Sequence, residues 1–299
     1  MAVGGLWVPI TLLASSAQTL RNAMQRELIG ALGAVGAAQV RFLFGLPFAV
    51  VFFLALLTET GLGVPALTVA GLAWTAFGAI SQVIATAMML AAMRTRSFVV
   101  AVAYTKTEPA QIAVFGLVAL GDPPSATLIA AIALATAGVA LMTFRKGADF
   151  AGDWRSAAFG IASASLFAFA AIGFRAAVVG VESPSRGLAA SLILVVGLAI
   201  QSATLMLYLA LFDRVGARAI ALAWRSSLFA GFMGALASQL WFFAFALTDA
   251  ARVRTLALIE VPLAQAVSLR LFREPPTLRE GLGMALIVAA AGILIWASG

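Results

Sequence analysis

The feature that most constrains this chain is a succession of about ten apolar runs, each roughly 20 residues long, the length a helix needs to cross about 30 Å of hydrocarbon. They centre near Ala14, Pro47, Gly78, Ala110, Ala133, Phe167, Val195, Met233, Pro262 and Ile287. Lipid offers no partner to backbone N–H and C=O groups, so such runs must span as helices or as a closed barrel. They are continuous rather than alternating with period two, which predicts helices. Of the 299 residues, 63% are hydrophobic and 10% charged, against roughly 25% charged in a soluble domain, and the mean hydropathy is +1.06. The first run, Leu6 to Leu20, follows no Lys or Arg and shows no cleavage site. It is therefore expected to be the first membrane helix rather than a cleaved signal peptide. The expected fold is all-α and integral to the membrane.

Cys and His are both absent. That removes disulfides, thiolate and Ser-His-Asp nucleophiles, and His- or Cys-based zinc and haem sites. An enzyme acting on a lipid-linked substrate would need clustered carboxylates to hold Mg²⁺, whereas the acids here are scattered singly. No enzyme activity, metal or cofactor is expected. The net charge is +7, but the basic residues lie singly between apolar runs, a pattern of membrane orientation rather than of nucleic-acid binding.

The two halves of the chain repeat. Glu108 and Glu260 lie 152 residues apart, and the same offset carries Asp122-Pro123-Pro124-Ser125 onto Glu274-Pro275-Pro276-Thr277. Ser81-Gln82 recurs as Ser238-Gln239 at a similar offset. Residues 1–146 and 147–299 thus read as two five-helix repeats. Five is odd, so the second repeat must enter the membrane from the opposite side, the inverted topology that lets a central cavity open to either face. Loops after odd-numbered helices hold about eleven basic residues, Arg26, Arg94 and Arg214 among them, and the opposite loops about three, Arg186, Arg252 and Arg254. By the positive-inside rule this puts both termini outside the cytoplasm.

Polar residues inside the runs mark the expected site. Tyr104, Lys106, Glu108 and Gln111 fall in the fourth span, and Glu260 and Gln265 in the ninth. An ionised group near the bilayer centre costs about 2.5–3.5 kcal/mol on insertion scales, so each should face the bundle interior and find a partner. Lys106 and Glu108 are two residues apart and cannot share a helix face, so at least one should pair with another helix. Pro109 and Pro262 follow close behind the acids and are expected to bend helices that line a cavity. Two readings stand side by side: these groups line a substrate path, or Lys106–Glu260 and Arg254–Glu108 bridges only lock the two halves together. Gln82, Gln239 and Asn22 are weaker candidates for the same path. Trp74 and Trp241 could stack on an aromatic substrate, or anchor at the interface or in the core. Arg41 and Arg175 are expected to snorkel to headgroups. Gly30, Gly33, Gly36, Gly281 and Gly283 suit close helix packing.

With its helix-four segment Tyr104 to Gln111 followed by Gly121-Asp122-Pro123-Pro124, and the equivalent Glu260 to Gln265 followed by Arg273-Glu274-Pro275-Pro276, the chain resembles the ten-helix EamA-type exporters of the drug/metabolite transporter superfamily over essentially its whole length. The resemblance implies helices one, three, four, six, eight and nine around a central cavity, alternating access without ATP, residence in the inner membrane, and cytoplasmic termini, against the loop-charge count. It implies export of amino acids and related metabolites, with lipids, nucleotide-sugars or xenobiotics as the alternative cargo. Lys106 and Glu108 stand where relatives handling aromatic amino acids are mostly apolar or aromatic, which argues against an aromatic preference. The expected partners are a small-molecule substrate and membrane lipids. A monomer suffices, because each chain carries both halves.

Overall fold

The computed structural model describes residues 5–95, 106–121, 123–143, 154–263, 265–266 and 277–297. Every regular element among them is helical: α1 (Trp7–Leu43), α2 (Leu46–Thr60), α3 (Val69–Thr95), α4 (Glu108–Leu120), α5 (Ala126–Thr143), α6 (Trp154–Val179), α7 (Arg186–Phe212), α8 (Arg214–Leu222), α9 (Trp224–Leu247), α10 (Ala250–Leu256) and α11 (Leu278–Trp296). A 3₁₀ turn, Ala257–Ile259, follows α10, and residues 260–263 are again helical. Among the described residues six stretches are long and apolar enough to cross a membrane: Val35–Thr60, Val69–Met89, Ala158–Val179, Arg186–Phe212, Ser227–Leu247 and Leu278–Trp296. Large apolar side chains such as Val51, Leu54, Val118, Leu207 and Leu211 are exposed on these and neighbouring helices, an outer surface suited to lipid rather than water.

The first expected loop is absent. Residues 21–32 continue as helix, because nothing between Arg21 and Glu27 interrupts the backbone ladder. The break comes instead at Gly33, whose φ of 66° and ψ of 176° lie in a region L side chains rarely adopt. This glycine is a hinge in the backbone rather than a packing contact, while Gly36 does lie against Ile220. Arg26 consequently belongs to a helix, and Arg254 lies within α10, so neither is a loop charge.

The chain divides into two compact units, one of Met1–Leu12, Ile84–Ile172 and Thr248–Gly299, the other of Leu13–Val83 and Gly173–Leu247. Each draws on both halves of the sequence.

In the first unit, α5 and α11 pack against each other along their length. Gly138 and Gly283 make this possible: a Cβ on Gly138 would stand 2.6 Å from the Gly283 carbonyl oxygen and 3.0 Å from Ile287. Gly138 faces Ile287 while Met142 faces Gly283, so the two helices run antiparallel. Their starts are built alike. Ser125 Oγ accepts the Leu128 amide at 3.2 Å, and Thr277 Oγ1 accepts the Glu280 amide at 3.3 Å. The Glu280 carboxylate returns the bond to the Thr277 amide at 2.7 Å, completing a capping box. At the end of α4, Gly121 (φ 67°) provides the left-handed cap, its amide donating to Gly116 O.

In the second unit, α7 packs on α2 and α9, and α2 on α9. Phe232 meets Phe48 edge-on with ring centroids 5.3 Å apart, and Phe174 packs on Phe242 at 4.8 Å. Gln39 Nε2 donates to Ser202 O at 3.1 Å, tying α1 to α7. Arg175 does not snorkel: its guanidinium donates to Phe245 O at 2.9 Å, and Arg186 donates to Ala246 O at 3.0 Å. Both therefore satisfy carbonyls in the last turn of α9, where the helix dipole also favours a cation.

Candidate functional site

The charged residues singled out in the sequence converge in the first unit, where α4 packs on α10. Thr107 precedes α4 and Pro109 sits in its first turn, where the missing N–H would have had no helical partner. The Glu108-Pro109 step therefore starts the helix rather than bending it. Glu108, 8% exposed, stands at the helix N-terminus, where unsatisfied amides favour an anion.

Arg254 reaches it from one turn inside α10. Its Nε donates to Glu108 Oε1 and an Nη to Oε2, both at 2.8 Å. This two-pronged geometry is the strongest a guanidinium and a carboxylate make. The helix is started by Asp249, whose carboxylate accepts the Arg252 amide at 2.8 Å.

The other pair is looser. Lys106 Nζ lies 3.8 Å from Glu260 Oε2, with the lysine side chain 26% exposed and the glutamate 9%. That is a charge contact longer than a hydrogen bond. Glu260 follows directly on the 3₁₀ turn Ala257–Ile259, a tighter winding that re-aims the chain after α10. The two acids, 152 residues apart, are thus each met by a base: Glu108 by Arg254 and Glu260 by Lys106.

A line of neutral polar groups continues from this quartet. Gln111, one turn beyond Thr107, donates to Thr107 Oγ1 at 3.0 Å, and Ser165 of α6 donates to Gln111 Oε1 at 2.5 Å. Gln265 is half-buried in the helical stretch after Glu260. Tyr104 lies outside the described residues.

The remaining candidates belong to the second unit. Gln82 accepts from Gln201 Nε2 at 2.6 Å. Trp241 is 5% exposed and its indole N–H donates to Gln18 Oε1 at 3.0 Å, so its polar edge is held by the protein. Gln239 is equally buried, and neither atom of its amide has a hydrogen-bond partner among the described residues. Trp74 packs edge-on against Phe77 at 5.9 Å. The side chain of Asn22 lies outside the described residues. Ser165, Gln201 and Gln18 were not anticipated; each lies beside other small polar residues, Ser163, Ser202 and Ser16 with Thr19, and so does not stand out from its helix. Among the described residues no group of three His, Cys, Asp or Glu side chains is placed to hold a metal ion.

Among the described residues the structure thus defines membrane-length apolar helices and two buried carboxylates, each met by a partly buried base. No protein-family model matches the sequence, and no curated protein matches it. The fold itself is shared: a solved structure described as "Crystal structure of protein" aligns over 97% of this chain and 95% of its own, with a TM-score of 0.69 at 15% sequence identity.

Proposed function

We propose that the chain is a secondary transporter of the EamA type, exporting small metabolites, amino acids foremost, across the inner membrane by alternating access between two inverted five-helix repeats. The observation that carries this reading is the reciprocal pairing of Glu108 with Arg254 and of Glu260 with Lys106. Charges inside a membrane are costly and are retained where a pathway uses them. The matched caps at Ser125 and Thr277 and the antiparallel run of α5 against α11 support the inverted repeat. Ten spans follow when the six long stretches are joined by α4, α5, the first part of α1 and the segment from Ala250 onward.

The two pairs suit different roles. Arg254 and Glu108, bound two-pronged, hold their helices together through the cycle, which is the locking reading applied to one pair. Lys106 and Glu260, only in charge contact, can part. Glu260 is then open to a proton or to the ammonium group of a substrate, the differential binding that an alternating mechanism requires.

The test is flux of a labelled amino-acid panel in liposomes holding the purified protein, with and without a pH gradient, for the wild type and Glu260→Gln. Movement that responds to the gradient in the wild type and loses that response in the variant supports the reading. A variant that keeps gradient-driven movement and merely melts at lower temperature removes Glu260 from coupling. No movement of any amino acid by folded protein would favour a lipid, nucleotide-sugar or xenobiotic cargo.

A further inference from the structure

We propose that α8 is a membrane-surface helix whose arginines bind the phosphates of anionic lipids. The sequence placed Arg214 in a loop, but the structure puts it and Arg218 on a nine-residue helix between two membrane-length ones. Asp213 makes the break. Its backbone leaves helical geometry at φ −148°, ψ 71° at the end of α7, and its carboxylate accepts the Gly216 amide at 2.9 Å to start α8. A side chain on Gly216 would collide with that carboxylate.

One face of α8 is fixed to the protein. Ile220 is 1% exposed and packs with Ala217 among Leu28, Val40, Leu209 and Ala230. The opposite face is open and mixed. Arg214 and Arg218, four residues apart, share one ridge, and beside them Val215 is 80% and Leu222 85% exposed. At the neighbouring helix ends Phe212 is 74% and Trp224 47% exposed, with the Arg225 guanidinium 5.2 Å from the Trp224 ring centre.

That combination suits one environment. Water would leave Val215, Leu222, Phe212 and Trp224 unfavourably exposed, and the hydrocarbon core would strand the arginines. The headgroup boundary accepts both, and the start and end of α8 are where the spans Arg186–Phe212 and Ser227–Leu247 leave and re-enter hydrocarbon. Between residues 213 and 225 there are three arginines and one acid, and that acid is engaged in the helix cap. The local charge is therefore complementary to lipid phosphate.

The chain has no Cys, so single cysteines can report on this face. The experiment places a nitroxide on Leu222→Cys and, as a solvent reference, on Gly63→Cys, in bilayers of mixed phosphatidylglycerol and phosphatidylcholine. It compares quenching by oxygen with quenching by a water-soluble nickel chelate. The expected result is an oxygen-to-nickel ratio at least severalfold higher at residue 222 than at 63. Native mass spectrometry then counts each lipid retained by the wild type and by R214Q/R218Q/R225Q, with the preference for phosphatidylglycerol expected to fall toward parity in the variant. A label at 222 as open to nickel as the reference overturns the proposal. So does one shielded from both quenchers, which would indicate a second protein copy, and so does an unchanged lipid preference in folded variant protein. The spin-label arm uses the native arginines and decides the placement of α8 even where the triple variant does not fold; the single variants R214Q and R218Q then carry the lipid count, and an unchanged preference in both overturns the phosphate contact.

Discussion

Arg254 grips Glu108 through two parallel hydrogen bonds of 2.8 Å, with side-chain exposures of 20% and 11%. A base from the second half of the sequence and an acid from the first are thereby fixed to one another where water has little access. The pair is worth little as a net source of stability, because both charges were desolvated to form it. Breaking it is another matter. Glu108→Gln leaves the Arg254 charge buried without its carboxylate, and a loss of about 3–5 kcal/mol is expected. The measurement is thermal melting of purified protein in detergent, and Glu108→Leu/Arg254→Met should recover much of the loss by removing both charges. A wild-type melting curve for Glu108→Gln would mean that the site is hydrated and the pair dispensable.

Lys106 is predicted to behave in the opposite way. Its ammonium is 3.8 Å from Glu260 and its side chain a quarter exposed, and the Arg254 charge also acts on Glu260, so removing Lys106 does not strand the carboxylate and forfeits a partly screened contact worth about 0–1 kcal/mol. Lys106→Gln should therefore melt close to the wild type yet alter flux in the liposome assay. If stability fell as far as in Glu108→Gln while flux per folded molecule was preserved, the assignment of separate roles to the two pairs would be wrong.

The two pairs also show what a sequence can and cannot disclose. Helical class and membrane-length apolar spans were legible, because bilayer length is written locally in the sequence. Both bridges were among the readings the sequence left open, yet their unequal strength was not. It depends on whether Arg254 lies in a loop or one turn inside a helix, and Asp249 settles that by capping α10 at its start. Gly33 illustrates the same limit: three glycines three residues apart look alike as packing positions, and only the positive φ distinguishes the one that breaks α1. Gln201 was missed because the reading favoured polar residues that recur between halves, and the residue 152 positions before it is Ala49.

The matched helix starts give a third test. Ser125 and Thr277 each cap a helix, but only Thr277 belongs to a reciprocal box with Glu280. Ser125→Ala should cost about 1 kcal/mol and Thr277→Ala at least as much, since it also frees the Glu280 carboxylate from its hydroxyl partner. Denaturation of the two variants side by side checks the order. A larger loss at Ser125 would mean that the Glu280 arm contributes nothing.

The glutamine pair in the second unit separates a hydrogen bond from the groups that make it. Gln201 donates to Gln82 at 2.6 Å across α7 and α3, and Gln201 is 2% exposed. Gln82→Leu would leave a buried amide donor without its acceptor, a penalty of about 1–3 kcal/mol. Replacing both by leucine removes donor and acceptor together and should cost markedly less than the two single changes combined. A double-mutant cycle read by thermal melting gives the coupling, and a strong one is expected because lipid and packed helices supply no water to take the lost partner's place. Additive losses in that cycle would show that water already reaches Gln201, and the polar pair would then mark a hydrated segment of the second unit rather than a dry helix contact.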